Sequence, residues 1–100
     1  MHAVIRNWTG APKLGHELKS HVTAIEAEIS AVPGFIAYYM LETQDGIASV
    51  TVCESREGCE ESTTRAGNWL RANLPNVTVG APTVIGGDLV MQFANNKTKV

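Results

Sequence analysis

The sequence has no surplus of positive charge: 8 Lys+Arg stand against 10 Asp+Glu, a formal net charge of −2 over 100 residues. A nucleic-acid binder needs a basic stripe to neutralise phosphates, and adsorption on an anionic membrane needs a polybasic segment. Neither is present, so no nucleic-acid and no membrane partner is expected. The apolar stretch from Ile29 to Leu41 is interrupted by Pro33-Gly34 and falls short of the ~20 residues that cross a bilayer. Met1-His2-Ala3-Val4-Ile5-Arg6 lacks the basic region and apolar run of a signal peptide, which places the protein in the cytoplasm by expectation. Cysteine is scarce. Cys53 and Cys59 are six apart, which is neither C-x-x-C nor a zinc knuckle, and no histidine lies near them. Two buried thiols in a reducing compartment are expected, with no metal and no cofactor.

What is present is a core. Hydrophobic residues make up 44% of the chain and charged residues 18%, which excludes intrinsic disorder and suits one domain over residues 1–94 with a polar tail at 95–100. His2 to Trp8 reads as a strand ended by Thr9-Gly10-Ala11-Pro12. Leu14, Leu18, Val22, Ile25 and Ile29 recur at steps of three and four, the stripe of one amphipathic helix stopped by Val32-Pro33-Gly34. Phe35 to Glu42 and Ile47 to Glu54 read as two strands joined by Asp45-Gly46, a hairpin signal because both positions tolerate positive φ. Ser55 can cap a second helix that runs through Ala66, Trp69 and Leu70 to Leu74 and stops at Pro75. Thr83 to Phe93 reads as a last strand, with Gly86-Gly87 a bulge or bend.

The order β-α-β-β-α-β predicts a ferredoxin-like α+β fold, a four-stranded antiparallel sheet with both helices on one face. The strands add a demand. Phe35, Ala37, Tyr39 and Leu41 alternate with Ile36, Tyr38 and Met40, and Leu89, Met91 and Phe93 alternate with Val90, so both sheet faces are apolar. Two helices cover one face. A second copy of the chain is the economical cover for the other, and a homodimer packed sheet to sheet is expected.

The strand order, the Val32-Pro33-Gly34-Phe35 turn into the second strand, the Asp45-Gly46 hairpin and the Ala66-x-x-Trp69-Leu70-x-x-Asn73-Leu74 helix together resemble the dimeric α/β-barrel superfamily. The similarity is to its antibiotic-biosynthesis-monooxygenase-like members and runs from His2 to about Phe93. It implies two sheets closing into a barrel across a dimer. Its members include cofactor-independent oxygenases of aromatic compounds, haem-degrading monooxygenases, isomerases and proteins of no known activity. The haem degraders use an asparagine on the first strand, a tryptophan on the second helix and a histidine further along. Asn7 and Trp69 fit the first two, but no histidine follows His21.

Oxygenation without a cofactor requires a base, polar donors that stabilise a substrate anion, and an apolar wall. Asn7, Tyr38, Tyr39 and His21 are the candidate catalytic residues, and Arg6, Trp8 and Trp69 the candidate ligand-binding ones. Each has a plainer reading. Asn7 can satisfy backbone at the strand exit, and the adjacent Tyr38 and Tyr39 must face opposite ways, one of them into packing. His21 can be a boundary residue beside the apolar stripe, too far around the helix from His16 to share a metal. Trp69 can belong to the buried helix face, and Glu54, Glu57, Glu60 and Glu61 to a solvated one. Other functions of this architecture lack their residues: a metal chaperone's C-x-x-C, an RNA-binding module's aromatic and basic third strand, and an acylphosphatase's phosphate cradle. The function expected is monooxygenase-like chemistry on an apolar or aromatic metabolite. The alternative is a non-catalytic dimer that binds a small ligand or serves structurally.

Overall fold

The computed structural model describes residues 1–77 and 80–95. Along the strands, alternation sends every second side chain to the helices. β1 (His2–Trp8), β2 (Phe35–Glu42), β3 (Ile47–Cys53) and β4 (Thr83–Asp88) form one antiparallel sheet in the order β2-β3-β1-β4. The helices α1 (Leu14–Leu18), α2 (Val22–Ser30) and α3 (Arg56–Asn73) cover one face. This is the expected ferredoxin-like plan. The Ser55 side chain accepts from the Gly58 N–H at 3.2 Å and caps α3, as its position suggests.

The first helix is not continuous. A 3₁₀ turn at Lys19–His21 separates α1 from α2, and the Ser20 hydroxyl donates to the Glu17 carbonyl at 3.1 Å within it. The tighter turn shifts the helical phase. Leu14, Leu18 and Ile29 stay buried, but Val22 leaves the expected stripe and is 63% exposed.

The hairpin also differs from the sequence reading. Gly46 does not take positive φ; among the described residues, only Gly10 and Gly34 do. Glycine is needed at 46 for room, because a β-carbon there would run into the Trp8 carbonyl oxygen. Asp45 clasps the turn after β1: its carboxylate accepts from the Gly10 N–H at 2.9 Å and its carbonyl from the Ala11 N–H at 2.9 Å. Gly46→Ala should therefore lower stability by about 1–3 kcal/mol, the usual cost of overpacking, read as a shifted urea midpoint. An unchanged midpoint would show that the turn relaxes freely.

Two further expectations are corrected. β4 stops at Asp88 rather than Phe93 because its partner strand has run out: His2 pairs with Asp88, and one last hydrogen bond joins the Leu89 N–H to the Met1 carbonyl. Val90, Met91 and Phe93 then project unpaired, Phe93 being 90% exposed. Gly86 and Gly87 pair in register with Val4 and Ala3 and make no bulge. The bulge lies in β2 instead. Phe35 pairs with Cys53 and Ala37 with Val52, so one extra residue, Ile36, turns Phe35 to the helix side, the face of Tyr38 and Met40.

The interior under the helices has two apolar clusters. Trp8, Ala11, Leu14, Leu18, Ile47 and Leu70 form one. Val4, Val32, Cys53 and Cys59, with Phe35 against them, form the other. Between them, on the same inward row of β1 as Val4 and Trp8, lies Arg6.

The opposite face carries Ala3, Ile5 and Asn7 of β1, Ala37, Tyr39 and Leu41 of β2, Val50 of β3 and Ile85 of β4. None of these is charged. Tyr39 is 58% exposed and Ile85 69%, so the chain by itself leaves this surface bare.

Candidate functional site

A cleft of about 440 Å³ opens between α1–α2 and the β2 side of the sheet. Leu18, Ile25, Ile29, Phe35, Tyr38 and Met40 make its walls, with Ile47 beneath them. The helix break creates the opening: Val22, displaced by the 3₁₀ turn, stands at its edge instead of filling it. Lys19 and Glu42 form an ion pair of 3.1 Å at the rim, both well exposed, and Glu26 lines the same side. A narrow inward extension is lined by Trp8, Trp69 and Leu70 together with Tyr38 and Met40. The His21 ring meets Trp69 edge-on, centroids 5.2 Å apart at 72°. The volume and the apolar lining suit one small aromatic or apolar molecule.

Behind the Tyr38 wall lies a buried cation. Arg6 has 0% exposure and no carboxylate against it. Four hydroxyls hold its guanidinium: Nε donates to Thr63 at 2.9 Å, one terminal nitrogen to Ser49 at 3.1 Å and Thr51 at 3.0 Å, and the other to Ser62. Ser62 and Thr63 pass their own protons to the Cys59 carbonyl at 2.6 and 3.2 Å. Burial pulls the Arg6 guanidinium below its ordinary value, while Tyr38 and the two thiols pull the other way. It stays charged at neutral pH all the same.

Burial likewise pushes the Tyr38 phenol above its usual range, opposed by the Ser49 hydroxyl and by the Arg6 charge. Tyr38 therefore meets the cleft at neutral pH as a protonated donor. Cys53 and Cys59 are both free and buried. Burial and the neighbouring Cys59 thiol push Cys53 up to about 11, so it is not a thiolate nucleophile near neutrality.

The structure brings only some of the sequence candidates together. Tyr38, Trp8 and Trp69 line the cleft and its extension, and His21 adjoins them through Trp69. Asn7 and Tyr39 do not belong to this site: period-two alternation sends both to the bare outer face, where the Asn7 carbonyl accepts from Thr83 at 3.4 Å. The Asn7–Trp69 pairing suggested by the haem degraders is therefore split across the sheet. Arg6 reaches no ligand directly, because it is fully buried one layer behind the wall. Ser49, Thr51, Ser62 and Thr63 were missed from sequence. The signal was the small polar residues at alternate positions of β3, Ser49-x-Thr51, on the row that also holds Ile47 and Cys53.

No protein-family model matches the sequence, and no curated protein matches it at a significant level. Solved structures do match the fold. A protein of unknown function from Nitrosomonas europaea aligns with TM-score 0.70 at 14% identity, over 94% of this chain and 93% of that one. The monooxygenase ActVA-Orf6 of Streptomyces coelicolor, solved in complex with nanaomycin D, aligns with TM-score 0.61 at 20% identity, over 95% and 91%. The haem degrader MhuD of Mycobacterium tuberculosis, solved with two haems in its active site, aligns with TM-score 0.66 at 15% identity, over 94% and 100%. The chain thus has the fold of the antibiotic-biosynthesis-monooxygenase-like proteins, over nearly its whole length. Among the described residues, no helix is long and apolar enough to cross a membrane.

Proposed function

We propose that the chain is one half of a homodimeric, monooxygenase-like enzyme that takes an aromatic or apolar metabolite into the cleft beneath α2. The observation that carries this reading is the 440 Å³ apolar cleft with a single phenol, Tyr38, in its wall. An aromatic substrate with an acidic C–H would sit between Phe35 and the Trp8–Trp69 end, its oxygen substituent toward Tyr38. Loss of its proton gives a delocalised anion that can react with O₂ directly. Oxidation of an activated CH₂ to C=O then balances without an external reductant: one oxygen atom stays on carbon, and the other leaves as water with the two hydrogens. The solved ActVA-Orf6 complex supports the reading by analogy of fold. The second copy has its own support, because the bare outer face bears no charge and would otherwise stay in water.

The test is oxygen uptake by the purified protein with a panel of hydroxyaromatic compounds and no added metal or cofactor, alongside native mass spectrometry of the mixtures. Binding with oxygen uptake that Tyr38→Phe cuts by at least tenfold is the expected result. Binding without uptake would make the protein a non-catalytic carrier, and no binding across the panel would end the cleft reading.

A further inference from the structure

Two nucleophilic side chains take no part in the cleft: Cys53 at the end of β3 and Cys59 in the first turn of α3. Both belong to the apolar cluster with Val4 and Val32, and both are free thiols. The backbone brings them together. A β-carbon at Gly58 would lie 3.1 Å from the Cys53 β-carbon and 3.4 Å from its sulfur, so a bare glycine lets α3 settle closely on the end of β3. From the next position, the Cys59 Sγ donates to the His2 carbonyl at 3.3 Å and reaches the Thr51 carbonyl at 3.7 Å. His2 is the residue paired with Cys53 across the sheet, and Thr51 precedes Cys53 by two on the same inward row. The Cys59 sulfur is thus seated against the backbone on two sides of Cys53.

The two sulfurs differ in access. A second cavity, of about 610 Å³, lies between α3 and β4 and shares no residue with the cleft. His2, Arg56, Glu60 and Gly86 line it, and Cys59 borders it at 2% exposure, whereas Cys53 does not border it and has 0%. We infer that Cys59 and Cys53 are a peroxide-reactive pair, Cys59 meeting a small hydroperoxide from the α3–β4 cavity and Cys53 resolving it to a disulfide. The Cys59 sulfur breaks the O–O bond of hydrogen peroxide and keeps one oxygen as sulfenic acid. The other oxygen leaves as water with the thiol proton. The Cys53 sulfur then attacks the Cys59 sulfur, an S–S bond replaces the S–O bond, and the hydroxyl leaves as a second water with the Cys53 proton. Two thiols and one hydrogen peroxide become one disulfide and two waters, two electrons passing from sulfur to oxygen. Burial and the neighbouring thiol push Cys53 up to about 11, which suits it to the second step rather than the first. The disulfide ties α3 to β3 at the residue whose carbonyl holds Ser62 and Thr63, two of the four hydroxyls around Arg6.

The experiment treats the reduced full chain with excess hydrogen peroxide, with and without dimedone, which labels sulfenic acids, and reads non-reducing tryptic maps by mass spectrometry. Arg56 lies between the two cysteines, so cleavage there leaves them on separate peptides, 20–56 and 57–65, unless a disulfide joins the two. The expected result is the joined pair, lighter by two hydrogens than the sum of its peptides and separated again by dithiothreitol. Cys53→Ser should trap the dimedone label on Cys59, and Cys59→Ser should slow oxidation of Cys53 by about tenfold or more. Where a variant does not fold, the unsubstituted chain decides. Dimedone should mark Cys59 over Cys53 by about tenfold in the folded chain and both alike in guanidinium chloride. Peptides left separate with both thiols intact, a label that favours Cys53, a bond that joins two chains, or Cys59 driven to sulfinic acid while Cys53 stays free would each overturn the inference. The cleft reading stands or falls separately, since neither thiol lines the cleft.

Discussion

Arg6→Ala should be the most damaging single substitution in the core, with a loss on the order of 3–5 kcal/mol. Two contributions add. Truncation empties the space between the two apolar clusters, and cavities of that kind cost a few kcal/mol because neighbours close in only partly. Ser49 and Thr51 also lose the donor they accept from, and buried groups left unpaired cost about 1–3 kcal/mol. At ~4–8 °C per kcal/mol for a domain of this size, the melting temperature should fall by well over 10 °C in a thermal scan. Arg6→Met separates the contributions. It restores most of the volume and removes the buried charge, and well-packed apolar replacements of buried ions are often close to neutral. Methionine recovering most of the loss would assign it to volume; little recovery would assign it to the hydroxyls. A fall of less than about 2 °C in Arg6→Ala would mean the four hydroxyls stabilise almost nothing.

The second large effect concerns assembly. The unsubstituted chain should scatter light at twice its 10.7 kDa mass at micromolar concentration, and Ile5→Asp should return it to the single mass. Ile5 sits on a central strand opposite Ile85, in the middle of the bare face, so a carboxylate there would be buried unpaired in a sheet-to-sheet dimer. Twofold symmetry enters the substitution twice, once from each chain. Weakening by at least a hundredfold is expected, since that corresponds to only about 2.7 kcal/mol for the pair. The fold should survive, because Ile5 is exposed in the single chain. An unsubstituted chain that scatters as a monomer, or an Ile5→Asp variant that remains a dimer, would remove the sheet-to-sheet assembly.

The element order was legible because each boundary carries local chemistry: Thr9-Gly10, Pro33-Gly34, Asp45-Gly46, Ser55 and Pro75 act within a few residues of themselves. The helix break at Lys19–His21 was not legible, since an uninterrupted stripe from Leu14 to Ile29 continues through it and only the seating against the sheet decides. The division of Asn7 from Trp8 and Arg6 was within reach, because neighbours on a strand face opposite ways. Grouping them by proximity in the chain hid that alternation. Arg6 shows the harder limit. An arginine between Val4 and Trp8 on an inward row is suspicious from sequence, but its partners lie 43 to 57 residues away on β3 and α3. Serine and threonine there read as ordinary polar positions. A hydropathy pattern has no way to mark hydroxyls whose purpose is to solvate a charge in the core.

The extra residue at Ile36 has a consequence for how this fold diversifies. Upstream of it the strand keeps one phase, downstream the opposite one, and Phe35 reaches the cleft because the shift falls between it and Ala37. Keeping Ile36 but pairing it regularly would turn the ring to the outer surface, whereas deleting Ile36 would leave the ring opposite Cys53 on the helix side and every downstream partner in place. Relatives can thus gain or lose one residue at this point without giving up the aromatic end wall.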